Sequence, residues 1–253
     1  VIKSPGGTTA VPLNLTSLTA VNHPKPVRLL INNPDPSQRG ALVSQPGVLS
    51  DILADTSRNR IYVLRQDMNQ LLVYDGLTMN LVATLRTATS PTMMAMTRDQ
   101  AYLLVGHDDS EYIYVYDLNT LQPVTPVLLP GGHFARSIAV SNAAILALVR
   151  NEGGDPAGMI DSIDLSAGSA AALPSLGVYE NKLPNSTGVL TASPSGSTIL
   201  MASPDGNVAL YTAAANSFVA SRHDLTSISG AFAASDYGQY VAGNSVLNAS
   251  LVP

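Results

Sequence analysis

The sequence predicts an all-β chain built from a repeated four-stranded unit, and three observations carry that prediction. Apolar and polar residues alternate in short runs of strand length, as in RIYVLRQ (60–66) and EYIYVYD (111–117). Turn-forming clusters such as TSRN, DGLTMN, TRDQ, SPSG and PDGN separate the runs. The same pattern of run and turn then recurs. VYD ends at Asp75 and again at Asp117, SID ends at Asp164, and Thr212 of ALYT holds the equivalent place. The period is roughly 40 to 50 residues.

A second set of anchors keeps the same spacing. A polar residue closes an apolar strand at Asp55, Thr97, Ser141, Ser193 and Ser235. Between these anchors each unit resolves into four short β segments. The first holds SDILAD, RIYVLRQ, QLLVYD and LVATLRT; the second TMMAMT, AYLLVGH, YIYVYD and VTPVLLP. The third holds RSIAVS, AILALVR, MIDSIDL and AAALPS; the fourth VLTAS, TILMAS, NVALYT and FVASRH. Repeated four-stranded antiparallel units of this length are the signature of a β-propeller, each unit being one blade. Within a unit, Asp75 and Asp117 are expected to start turns by accepting backbone N–H groups, and Pro-Asp-Gly-Asn (204–207) to form a type I′ hairpin turn.

The ends read as half blades. VRLLINN (27–33) and ALVSQ (41–45) match third and fourth strands, and GAFAAS (230–235) and QYVAGNS (239–245) match first and second. Half a blade at each end gives a five-bladed ring, and a fragment of a six- to eight-bladed ring is the competing expectation. Residues 1–26, rich in Thr, Pro and Ser, read as a linker or edge segment preceding a propeller domain over 27–253.

Composition narrows the function classes. Of 253 residues only 12% are charged and 45% are hydrophobic, a globular composition. A net charge of −5, with lysine only at positions 3, 25 and 182, argues against nucleic acid as a partner. Cysteine is absent, so no disulfide or thiolate metal site can form. No apolar run reaches the 18 or so residues of a membrane-spanning helix. No Gly-x-Ser-x-Gly is present, and His23, His107, His133 and His223 stand in no zinc-binding spacing.

In such a fold the loops joining strands 2 and 3, and those joining one blade to the next, gather on one face, where binding groups are expected. GHDDSEY (106–112) is the densest acidic segment, and NEGGDPAG (151–158) is the longest insertion. Together Asp108, Asp109, Glu111, Glu152 and Asp155 form a candidate oxygen-rich site for a hard cation such as Ca²⁺, although the spacing is not that of a calcium loop. A solvated acidic hairpin tip is the plainer reading of the first segment, and a tolerated insertion of the second. The blade-joining segments supply the candidate ligand-binding residues His133, Arg136, Glu180 and His223. Histidine offers a base or a ligand, and arginine a carboxylate clamp.

RIYVLRQDMNQLLVYDGLTMNLVATLRT resembles a YVTN-type propeller repeat: an apolar strand, a polar turn, a strand ending in Asp, x-x-Thr and a closing strand. PGGHFARSIAVS resembles the lead-in to the next blade of such repeats. The match is good over 50–141 and looser over 142–245, where Thr212 replaces the aspartate. The resemblance implies an exported or cell-surface bacterial protein with a non-enzymatic binding or structural propeller. Its partner would be a protein or carbohydrate on the loop face. Lactonases are related propellers, which makes a channel-mouth hydrolase, with or without a metal, the alternative.

Overall fold

The computed structural model describes residues 7–13, 27–33, 43–152, 158–173, 187–225, 228 and 231–253. These form two compact units, 1–45 and 46–253. In the first, β1 (Gly7–Leu13) and β2 (Val27–Asn33) make an antiparallel pair, with Gly7 opposite Asn33. VRLLINN is therefore a strand, as the alternation predicts, and it pairs with GTTAVPL; of the expected fourth strand ALVSQ (41–45), residues 41–42 lie outside the described residues. Residues 43–45 carry no strand.

The second unit repeats one motif. Blade 1 is β3 (Leu49–Asp55), β4 (Arg60–Arg65), β5 (Gln70–Asp75) and β6 (Leu81–Arg86). Blade 2 is β7 (Pro91–Met96), β8 (Tyr102–His107), β9 (Tyr112–Asp117) and the short β10 (Val127–Leu128). Blade 3 is β11 (His133–Val140), β12 (Ile145–Asn151), β13 (Gly158–Asp164) and β14 (Ser169–Ala172). Blade 4 is β15 (Val189–Ala192), β16 (Thr198–Ala202), β17 (Val208–Thr212) and β18 (Ser217–Arg222). A last sheet holds β19 (Phe232–Ala234), β20 (Tyr240–Ala242) and β21 (Ser245–Leu247). Strands within each blade pair antiparallel in sequence order. The third strand of the last sheet arises because Gly243, at φ +60°, opens a two-residue hairpin between Ala242 and Ser245. Pro126 and Pro130 lie in the segment expected as the fourth strand of blade 2 (124–130), and only two residues of it pair as β10.

The core lies between blades, not within them. Because strand side chains alternate, Leu103 and Val105 of β8 join Tyr62, Leu64 and Val73 of blade 1, while Leu104 joins Ile138, Ala147 and Val149 of blade 3. Likewise Leu146 and Leu148 of β12 pack on Ile199 and Met201 of blade 4, and Leu200 and Ala202 on Tyr240 and Leu247 of the last sheet. This explains why the second and third strands read as nearly continuous apolar runs: both of their faces are covered. The Tyr-Asp pairs divide between core and turn. Tyr116 is buried and donates its hydroxyl to the carbonyl of Arg86. Asp75 Oδ1 accepts the N–H groups of Leu77 and Thr78, at 3.0 and 2.7 Å, and the Thr78 hydroxyl. Asp117 and Asp164 repeat this with Thr120 and Ser166. The first strands touch in turn, β3 on β7, β7 on β11, β11 on β15 and β15 on β19, so they line the inner edge of the fan.

Candidate functional site

Three of those inner strands carry the same irregularity. The register of β3 on β4 slips between Leu49 and Asp51, that of β7 on β8 between Pro91 and Met93, and that of β11 on β12 between Ala135 and Ser137. Ser50, Thr92 and Arg136 are thus bulge residues at equivalent places. A bulge breaks strict alternation and re-aims a side chain, so neighbouring residues can face the same space. Here Ser50 with Asp51, Thr92 with Met93, and Arg136 with Ser137 all line a cavity of about 400 Å³. Asp108, from the loop after β8, and Thr187–Val189, at the start of blade 4, complete its wall. The cavity therefore opens on the face of the 2–3 and blade-joining loops.

The bulged residues also tie the blades together. Asp51 Oδ2 accepts the N–H of Met94 at 2.7 Å, and its Oδ1 accepts that of Ile52 at 2.8 Å. Thr92 donates its hydroxyl to the Ala135 carbonyl at 3.2 Å. Ser137 Oγ accepts the Leu190 N–H at 2.9 Å. Each strap runs from one first strand to the next. Gly106 makes room for one of them, since a Cβ there would lie 2.7 Å from the Ala135 carbonyl oxygen. Burial pushes the Asp51 carboxyl above its ordinary range, against the opposing pull of the two N–H bonds.

Beside the cavity, Asp108 holds two guanidinium groups. Arg136 binds it twice, Nε to Oδ1 at 2.7 Å and Nη2 to Oδ2 at 2.8 Å, and Arg150 Nε reaches the same Oδ1 at 3.0 Å. Arg150 also contacts Asp109 at 3.2 Å and stacks on Phe134, 4.3 Å from the ring centre. The Arg136 bond holds the Asp108 carboxyl below its usual range in spite of partial burial. The Ser90 hydroxyl bonds Asp109.

The remaining candidates are dispersed. Glu111 accepts the Gly132 N–H, and Glu152 is exposed, its own N–H bonding the Gly132 carbonyl. His223 Nδ1 contacts the Asn207 amide oxygen. Asp155 and Glu180 fall outside the described residues. Among the described residues no three His, Asp or Glu side chains gather as a metal site would require. In place of the shared cation site expected from Asp108, Asp109, Glu111 and Glu152, the fold pairs the first two with arginines and spends Glu111 on a backbone turn.

Two features escaped the sequence pattern. His133 Nδ1 lies 2.8 Å from Oδ2 of Asp161, a fully buried aspartate in β13 whose other oxygen has no partner. Burial raises the Asp161 carboxyl, and the His133 bond opposes that rise. Asp161 sits inside the apolar run MIDSIDL, and only the pairing of three strands brings His133 to it. His107 is also buried: its Nδ1 bonds the Tyr112 carbonyl and its Nε2 the Thr87 hydroxyl. Burial pushes its imidazole down to about 4, so the ring is neutral.

At the opposite end of the fan the 1–2 turns are cross-linked. Arg98 donates to the carbonyls of Pro194 and Ser195, Asn142 to that of Ser195, and Ser195 to Asp236. A groove of about 750 Å³ between blades 2 and 3 opens there, walled by Tyr102, Val115, Val140, Ile145 and Ile163.

Solved structures share this arrangement. The β-propeller domain of Myceliophteria thermophila Cps50 (Swd1) superposes with a TM-score of 0.57 at 14% identity, over 79% of this chain and 65% of that one. This chain folds as a β-propeller. Hydrazine synthase of Kuenenia stuttgartiensis is similar at TM-score 0.56 and 20% identity, over 77% of this propeller chain and 54% of its own. Hsv2 of Kluyveromyces lactis is similar at 0.53 and 12%, over 88% and 64%. The propeller thus spans between 54% and 65% of the length of these three chains. No family model matches the chain. No curated protein matches it either. No helix among the described residues is long and apolar enough to cross a membrane.

Proposed function

We propose that this propeller is a non-enzymatic binding module of an exported or cell-surface bacterial protein, and that it engages its ligand through the cavity between the bulged first strands. The cavity itself carries this reading. Equivalent bulges in three blades turn Ser50, Thr92 and Arg136 toward one space. Its volume of about 400 Å³ lies within the range of small-ligand sites. The YVTN-like repeats support the cellular setting. The test is thermal unfolding of the whole chain against panels of sugars, amines and carboxylates, repeated with Ser50→Trp. That substitution fills the cavity mouth from an exposed bulge position. The expected result is a midpoint shift with one ligand class that Ser50→Trp abolishes. A shift that Ser50→Trp leaves unchanged, or none from any class, rejects the cavity as the site.

A hydrolase of lactonase type is the second reading, and the His133–Asp161 pair favours it, because a buried carboxylate orients the imidazole as a general base requires. His133 does not line the cavity, so binding stands first. Hydrolysis of simple lactones that disappears in His133→Ala would reverse that order.

A further inference from the structure

Among the described residues, the cavity wall contains one charge that no ion pair offsets. Of the ionisable side chains lining it, Arg136 and Asp108 neutralise each other. Among the described residues, Asp51 accepts hydrogen bonds only from the N–H groups of Ile52 and Met94, and no cationic side chain pairs with it. We propose that the cavity takes a ligand carrying a small organic ammonium group, with Asp51 as its counter-ion; this rests on the binding reading above and names the ligand's chemistry.

The structural duty of Asp51 does not call for a charge. In blade 3 the residue after the equivalent bulge is Ser137, and its neutral hydroxyl makes the same strap, accepting the N–H of Leu190 at 2.9 Å. A carboxylate in blade 1 brings a second oxygen and a net charge into a partly desolvated space, at an energetic cost that hydroxyl would not carry. An ammonium ion removes the cost. It needs one carboxylate and a few neutral acceptors, and the Thr92 hydroxyl, which donates to Ala135, keeps its lone pairs for that purpose. A divalent metal does not suit the place: Ca²⁺ takes six to eight oxygens, and no cluster of three His, Asp or Glu occurs among the described residues.

The probes are butylammonium, 1-butanol and butyrate, which share a chain and differ in charge, with an uncharged monosaccharide added. Binding to the whole chain is measured by titration calorimetry, and Asp51→Ser is the matched variant because Ser137 shows that serine supports the strap. The expected result is that butylammonium binds, that 1-butanol and butyrate bind at least tenfold more weakly, and that Asp51→Ser loses at least tenfold in amine affinity while unfolding cooperatively. Should the serine variant fail to fold, Asp51→Asn decides, because its amide keeps an acceptor oxygen for the strap and removes the charge. It must lose at least tenfold in amine affinity. Butylammonium binding that either variant leaves intact overturns the inference. Binding of the monosaccharide or butyrate, abolished by Ser50→Trp, overturns it while leaving the binding module standing. No binding by any probe removes both.

Discussion

His107 shows how a single residue sets a pH window. Its imidazole is neutral in the fold, with its pKa lowered to about 4, whereas in the unfolded chain it titrates near 6.5. The unfolded state therefore holds more protons between those values. The stability that His107 contributes is complete above pH 6.5 and is lost as the pH falls toward 4, up to about 3 kcal/mol. Urea unfolding at pH 7.0 and 4.5 measures the loss, and His107→Gln should flatten the dependence across that interval. The turn aspartates act lower. Asp75, Asp117 and Asp164 are held below the usual carboxylate range by turn bonds from Thr78, Thr120 and Ser166, respectively. Their contribution is present above the ordinary aspartate value, near 3.9, and disappears as pH drops beneath it. Asp117→Ala should therefore lower the melting midpoint more at pH 7 than at pH 2.5, as paired thermal melts would show. These aspartates were legible in the sequence because an Asx turn is local: Asp-x-x-Thr contains all of its own partners. His107 and Asp161 were not, because their burial depends on strands far apart in the chain.

At the scale of elements, alternation located nearly every strand, and turn chemistry located nearly every break. The hairpin at 203–207 qualifies the second point. A type I′ turn needs positive φ at both central residues, but only Gly206 has it, at +96°. The strand ends at a Ser203–Asn207 backbone bond of 2.9 Å, giving a longer loop with glycine in the one demanding position. A Cβ at Gly206 would lie 1.7 Å from the Leu225 carbonyl oxygen. Gly206→Ala should therefore cost at least about 2 kcal/mol, read as a lowered calorimetric midpoint. The bulges at Ser50, Thr92 and Arg136 left no trace in the sequence. A bulge is an extra residue relative to a partner strand, and a pattern read along one strand cannot register it. The segment PGGHFARS marks Arg136 by its charge, whereas nothing in their own segments marks Ser50, Asp51 and Thr92, which share its cavity.

For the whole molecule, the repeat revealed the fan of blades but not the pairing at its ends. VRLLINN has the pattern of a blade strand, and alternation alone does not choose between two antiparallel partners. The acidic rim is a second case. Its composition suited calcium, yet Asp108 is occupied by Arg136 and Arg150, two cations the sequence places 28 and 42 residues away. Excess Ca²⁺ followed by EDTA should leave the unfolding midpoint of the full chain unchanged. A rise of several degrees with Ca²⁺ would mean that the arginines give up their carboxylate.

Blades 2 and 3 differ from the others in one respect. Their outer strands β10 and β14 meet in parallel at Leu128 and Ser169, and the Leu128 N–H donates to the Gly168 carbonyl at 3.0 Å, so eight strands run in one continuous sheet. The other neighbouring blades share no strand pairing among the described residues: side chains, buried apolar surface and, between blades 3 and 4, one turn-to-turn bond from the Asn142 N–H to the Gly196 carbonyl join them, and such blades can separate one at a time. Here a strand pairing crosses the boundary. Amide hydrogens of β8, β9, β12 and β13 should then exchange with solvent at a common slow rate and open together as one cooperative block. Those of β19 and β20, in the short last sheet, should exchange first, so that partial unfolding sheds the fan from that end while its middle stays closed.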